Sequence, residues 1–182
     1  MKKIAYICAF PLVIALGFKS TEFTSDNDKR LNFTVGDSSF LTSASQANLA
    51  EIEAGRLAVS MSTKDAVKQI GQMMVNDHTI AQNELAALAQ NQNITLPTET
   101  DGEHKNMIDQ LSKLSGTAFD SSYLRSQLID HQMAITLFEQ EAQNGKDDSV
   151  RAYAQKYLPK LKDHLKMIKK HKSMPGDEKM GM

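Results

Sequence analysis

Cysteine occurs once, at Cys8, in a chain of 182 residues, so no disulfide within one chain can hold this fold. Neither sign of charge prevails: 21 basic against 22 acidic residues leave a formal charge of −1. A chain without a basic field has no electrostatic footprint for nucleic acid. The longest apolar run, 4–18 with Pro11 inside it, is short for a bilayer-spanning helix. Alternating strand patterns are missing, and so is any repeat of solenoid length. What is present is helical periodicity, with a 41% hydrophobic fraction that suffices for a core.

The chain opens on Lys2 and Lys3, continues through the apolar run, and places the small residues Ala15 and Gly17 where a signal peptidase cuts. Residues 1–17 read as a signal peptide, with an uncleaved anchor as the alternative. The protein is then exported, to the periplasm or in association with the outer membrane, and Cys8 lies too early to be a lipid-attachment site. Residues 18–38, rich in Ser, Thr, Asp and Asn, read as a flexible arm. Residues 173–182 read as a disordered tail in which Met174, Met180 and Met182 follow His171. Soft thioethers suit Cu(I), although incidental methionines in a solubilising tail explain the irregular spacing.

Between arm and tail, 39–172, four long periodic stretches predict an all-α four-helix bundle: 39–62, 64–91, 117–144 and 148–172, with a short extra helix at 103–114. Ser62 or Thr63 is the expected cap of the second, Thr117 with Asp120 forms a capping-box pattern, and Asp147 or Asp148 suits the start of the fourth. Asn144-Gly145 marks a C-terminal cap. Pro159 is expected to kink the last helix. The connection 92–116 is long enough either to decorate a turn or to cross the bundle.

Three Asp-His pairs, Asp77-His78, Asp130-His131 and Asp163-His164, sit inside these helices. Each histidine falls on the apolar seam: Val67, Met74, His78, Ala81 and Leu85; Leu124, Leu128, His131, Ile135 and Phe138; Val150, Ala154, Tyr157, Leu161, His164 and Ile168. Glu51 falls on the seam of the first helix, between Ala47 and Ala54. All four lie near mid-helix, so their heights agree within about one turn whichever way the connection runs. Three imidazoles and one carboxylate suit zinc, copper or ferrous iron. The alternative is a structural polar cluster in which Glu51 accepts hydrogen bonds from the histidines. Asp77, Asp130 and Asp163 stand about 100° around their helices from the histidines they precede, placed to orient a histidine of a neighbouring helix or simply to face solvent.

The run Asn48-Leu-Ala-Glu51-Ile-Glu53-Ala-Gly55-Arg-Leu-Ala58, then Met74-Val-Asn-Asp-His78, Ser115-Gly-Thr-Ala-Phe119-Asp120, Asp130-His131 and Leu158-Pro159-Lys-Leu161-Lys-Asp-His164 resembles the family called domain of unknown function 4142, over 40–171. The resemblance implies a ferritin-like bundle and an exported bacterial protein, without an assigned activity. Ferritin-like iron enzymes carry Glu-x-x-His on two helices. This chain has Val75 and Leu161 where those glutamates would stand, which disfavours an oxygen-rich di-iron site and ferroxidase chemistry. The reading is a metal-binding bundle used in metal handling or envelope stress rather than turnover. Two alternatives stand beside it. One is a non-catalytic module whose lysine face (Lys156, Lys160, Lys162, Lys166, Lys169 and Lys170) meets an acidic protein partner or envelope surface. The other is a redox enzyme that draws on Tyr123 or Tyr157.

Overall fold

Among the described residues, small and apolar side chains at spacings of three and four become four long helices and one short one. The computed structural model describes residues 35–172; the leader, the arm up to residue 34 and the tail from 173 lie outside the described residues. The elements are α1 (Val35–Met61), α2 (Asp65–Asn91), α3 (Gly102–Leu111), α4 (Gly116–Asn144) and α5 (Asp148–Lys172). Among the described residues there is no strand. α1 begins at Val35, four residues before the expected 39, and the added turn is anchored by Asp37, whose buried carboxylate accepts the Lys146 backbone N–H at 2.8 Å.

α1 packs on α2 and α4 on α5, while α1 also meets α4 and α2 meets α5. The end contacts settle the topology. Gln92, just past α2, donates to Asp147 at the α4–α5 turn (3.0 Å), so the end of α2 lies beside the end of α4. Ser62 and Thr63, in the α1–α2 turn, donate to Asp120 near the start of α4 (2.6 and 3.4 Å). The chain therefore leaves α2 at one end and starts α4 at the other. Residues 92–115 form a crossover along the bundle, held to α1 where Thr100 Oγ1 donates to the Gln46 carbonyl (3.1 Å) and where α3 packs on α1 and α4.

Several capping expectations are corrected by these contacts. Asp120 does not close a capping box with Thr117: α4 has Ser115 as N-cap without a side-chain bond, and the Asp120 carboxylate is taken by hydroxyls of the other hairpin. Lys64, not Ser62 or Thr63, is the N-cap of α2. Asp147 does cap α5, accepting from Ser149 N at 2.8 Å and Val150 N at 3.1 Å. Gly145 has φ −55° rather than a left-handed angle; space favours glycine there, since a Cβ would lie 2.8 Å from the Glu141 backbone carbonyl. α5 is continuous through Pro159, which removes one N–H.

α1 and α2 approach closely. A Cβ on Gly55 would lie 2.8 Å from the Gly71 carbonyl, and one on Gly71 would lie 2.7 Å from both the Gly55 carbonyl and Ala58 Cβ. The core has two apolar halves. Phe40, Leu85, Phe138 and Leu161 belong to one, and Val67, Met74, Phe119 and Ile168 to the other. Along α5 the change falls between Leu161 and Ile168, and along α2 between Met74 and Ala81. His164 and His78 stand in those gaps, which makes the middle of the bundle a polar layer.

Candidate metal centre

Glu51, His78, His131 and His164 are all buried, at 5%, 6%, 1% and 2% exposure. The three imidazoles form a nearly equilateral triangle, with ring centroids 5.7, 5.5 and 5.4 Å apart. One nitrogen from each ring lies within 4.8 Å of the others. His78 comes from α2 and the other two from α4 and α5, so the triangle spans both hairpins.

What each ring does with its far nitrogen decides the chemistry. His131 Nδ1 is 3.0 Å from the Gln127 carbonyl, an acceptor only, so Nδ1 carries the proton. His164 Nε2 is 2.9 Å from Asp77 Oδ2, and its proton is there. His78 Nδ1 is 2.9 Å from Asn48 Oδ1; the Asn48 amide nitrogen points at Gln82 Oε1 (3.3 Å) and the Tyr153 hydroxyl (3.5 Å), which fixes the oxygen as acceptor. Burial lowers all three histidines: His131 to about 3 and His78 well below its usual value, with the charge of neighbouring histidines adding to both, and His164 below its usual value despite the opposing pull of Asp77. All three are neutral, with one proton each, and those protons are committed outward. Lone pairs are left on His131 Nε2, His164 Nδ1 and His78 Nε2.

His131 Nε2 lies 3.2 Å from His164 Nδ1, so two acceptors face one another without a proton between them. His78 Nε2 is buried with no partner. Such an arrangement is unfavourable by itself and favourable around a cation. The spacing agrees with the edge of about 3.3 Å between two ligand nitrogens in a tetrahedron with Zn–N near 2.05 Å. The outward acceptors are the partners that fix tautomer and ring angle in metal-bound histidines.

Glu51 stands apart from this group. Its Oε1 is 3.6 Å from His131 Nδ1, the nitrogen on the far side of the ring, and its Oε2 is buried without a partner. Burial, with the charge of Asp130 second, pushes its carboxyl up to about 8. The aspartates part company too. Asp77 orients His164 and also approaches Lys160 Nζ at 3.4 Å. Asp130 is half-buried and lines a cavity with Asp101, Glu103 and His104. Asp163 is exposed. Tyr157 is buried beside Tyr153, with ring centroids 4.7 Å apart, and the Tyr123 hydroxyl is buried without a partner.

Asn48 and Gln127 are not singled out by the sequence pattern. Both lie on the seams, three residues before Glu51 and four before His131; a polar residue one turn from an inward glutamate or histidine was the available signal. On the lysine face, Lys156 pairs with Glu84 (2.6 Å), Lys162 with Glu139 (2.7 Å) and Lys160 with Asp77.

The model for the Domain of unknown function (DUF4142) family matches residues 23–170. No curated protein matches significantly. Among solved structures, a DUF305 fragment from Deinococcus radiodurans is 13% identical, with a TM-score of 0.68 over 76% of this chain and 96% of that one. CopM in its Cu(II)-bound form is 17% identical, TM-score 0.64, over 75% and 95%. A DUF305 protein of Streptomyces coelicolor is 8% identical, TM-score 0.64, over 73% and 88%. These likenesses establish the all-α ferritin-like bundle.

Proposed function

We propose that this chain, which belongs to the DUF4142 family, holds a transition-metal ion between His78, His131 and His164. The observation that carries the reading is the pair of unprotonated nitrogens 3.2 Å apart, each on a ring whose other nitrogen is tied to an acceptor. An ion bound there would supply the positive charge that three converging lone pairs lack. Asp77, Asn48 and the Gln127 carbonyl would hold the rings in register. Glu51 and Asp130 serve as neighbouring carboxylates rather than as the fourth ligand in this arrangement.

Three imidazoles suit zinc, copper or ferrous iron. Copper gains support from CopM, a protein of the same fold whose structure is Cu(II)-bound. The role is metal handling or protection of the envelope. Export rests on the leader, and among the described residues no helix is long and apolar enough to cross a membrane.

A purely structural cluster is the competing reading. Buried polar networks that serve stability satisfy their members, whereas here His78 Nε2 and Glu51 Oε2 have no partner. A docking role for the lysine face loses ground for a different reason, since three of its lysines are engaged by carboxylates of α2 and α4. Elemental analysis of untagged protein decides the matter, comparing wild type with a variant carrying His78→Gln, His131→Gln and His164→Gln. One equivalent of metal in the first and none in the second is expected; equal content in both removes the proposal.

A further inference from the structure

An ion bound at mid-bundle must reach it through protein, and the two sides of the triangle differ. On the α2–α5 side, the space bounded by Asp77, His78, Lys160 and His164 is only about 10 Å³, at the limit for one water, and the Asp77–Lys160 pair stands over it. On the α1–α4 side there is a cavity of about 320 Å³. At ~30 Å³ per water it has room for roughly ten waters, enough for a cation with its six first-shell waters. Asn48, Glu51, His78 and His131 line its inner part. At its mouth are Asp101 and Glu103, from the start of α3, with His104 and Asp130. His104 Nδ1 is 2.7 Å from Asp101 Oδ2, which sets one imidazole against three carboxylates.

The geometry points to this cavity as the path by which a hydrated divalent cation reaches the three imidazoles, an inference that rests on the metal-binding reading above. Asp101 and Glu103 collect the ion, Asp130 receives it, and the unpartnered Glu51 Oε2 and His78 Nε2 replace its waters at the inner end. The carboxyls lie within reach of one another's fields: burial raises Asp130, with His104 opposing and Glu103 and Asp101 adding, and burial followed by the charge of Asp130 raises Glu51. The crossover therefore does more than connect α2 to α4, because it brings α3 and its acidic first turn to the open side of the site.

The test is the rate of Co(II) uptake by the full chain, followed by the visible absorption of the cobalt complex. Asp101→Asn with Glu103→Gln removes two charges at the mouth and keeps a capping side chain on α3. This double variant should take up Co(II) about fivefold more slowly at low ionic strength, within the range of electrostatic steering. Its final spectrum and stoichiometry should match wild type, and the difference should shrink at high salt. Glu84→Gln with Glu139→Gln, the same charge change on the lysine face, should leave the rate unaltered. Equal rates in all three proteins, or equal slowing by both double variants, would overturn the path while leaving the site intact. Absence of any cobalt band in wild type would overturn the site and the path together.

Discussion

His131 Nε2 faces His164 Nδ1 across 3.2 Å, and neither nitrogen has a proton to offer the other. Asp77 is what makes this so on the α5 side, because its carboxylate takes the His164 Nε2 proton at 2.9 Å. With Asp77→Ala the proton can move to Nδ1 and point into the site. Metal affinity should fall about 10- to 100-fold, the usual effect of removing a carboxylate behind a ligand histidine. Competition against a chromophoric chelator measures it. Asp163→Ala, at an exposed position, should leave affinity within about twofold, and an equal loss in both variants would contradict the assignment.

Glycine at position 71 sets the approach of α1 and α2. Alanine has the better helix propensity, by up to about 1 kcal/mol, but its Cβ would lie 2.7 Å from the Gly55 carbonyl, a backbone atom that cannot turn aside. Overpacking costs about 1–3 kcal/mol, so the clash wins. Gly71→Ala should lower stability by roughly 1–2 kcal/mol, read from chemical denaturation; an unchanged or higher midpoint would show that the helices part freely.

The Glu141 carboxyl is pushed up to about 7 by burial, then by a hydrogen bond and the charge of Asp37; Asp147 adds to this and Arg151 opposes it. From the ordinary 4.5 up to 7 the folded protein holds a proton that the unfolded chain has released, so this group's contribution to stability falls as pH rises through that window and is level above it. The loss is about 1–2 kcal/mol after allowance for solvent near the group. Glu141→Gln should flatten that slope and exceed wild type in stability at pH 8. Parallel stability curves from pH 5 to 8 would refute the coupling.

Tyr123 tests the redox alternative. Its hydroxyl is buried without a partner, and burial, with the Glu51 charge second, raises it well above its ordinary value. Replacing an unsatisfied hydroxyl by hydrogen costs little and can stabilise. Tyr123→Phe should keep full metal content and match or exceed wild-type stability by up to about 1 kcal/mol. A loss of bound metal would place the hydroxyl in the site.

Seam spacing was enough to turn His78, His131 and His164 inward, because burial of one helix face is a property of the helix itself. It also set their common height, since mid-helix positions agree under either connection. The direction of the crossover was not legible: it depends on end contacts such as Ser62 with Asp120, which pair residues 58 apart. For the same reason the three Asp-His doublets looked alike and behave differently. Asp77 meets a histidine of another helix, Asp130 meets a cavity, and Asp163 meets solvent, and no local pattern distinguishes those neighbours.

The crossover divides the chain into two hairpins, each closed by a short turn, and the triangle takes one corner from the first hairpin and two from the second. Neither hairpin alone assembles three lone pairs. Severing the chain between α2 and α3 would therefore yield two fragments whose reassociation an ion should strengthen, like a clasp that fastens only when both halves of a band have met.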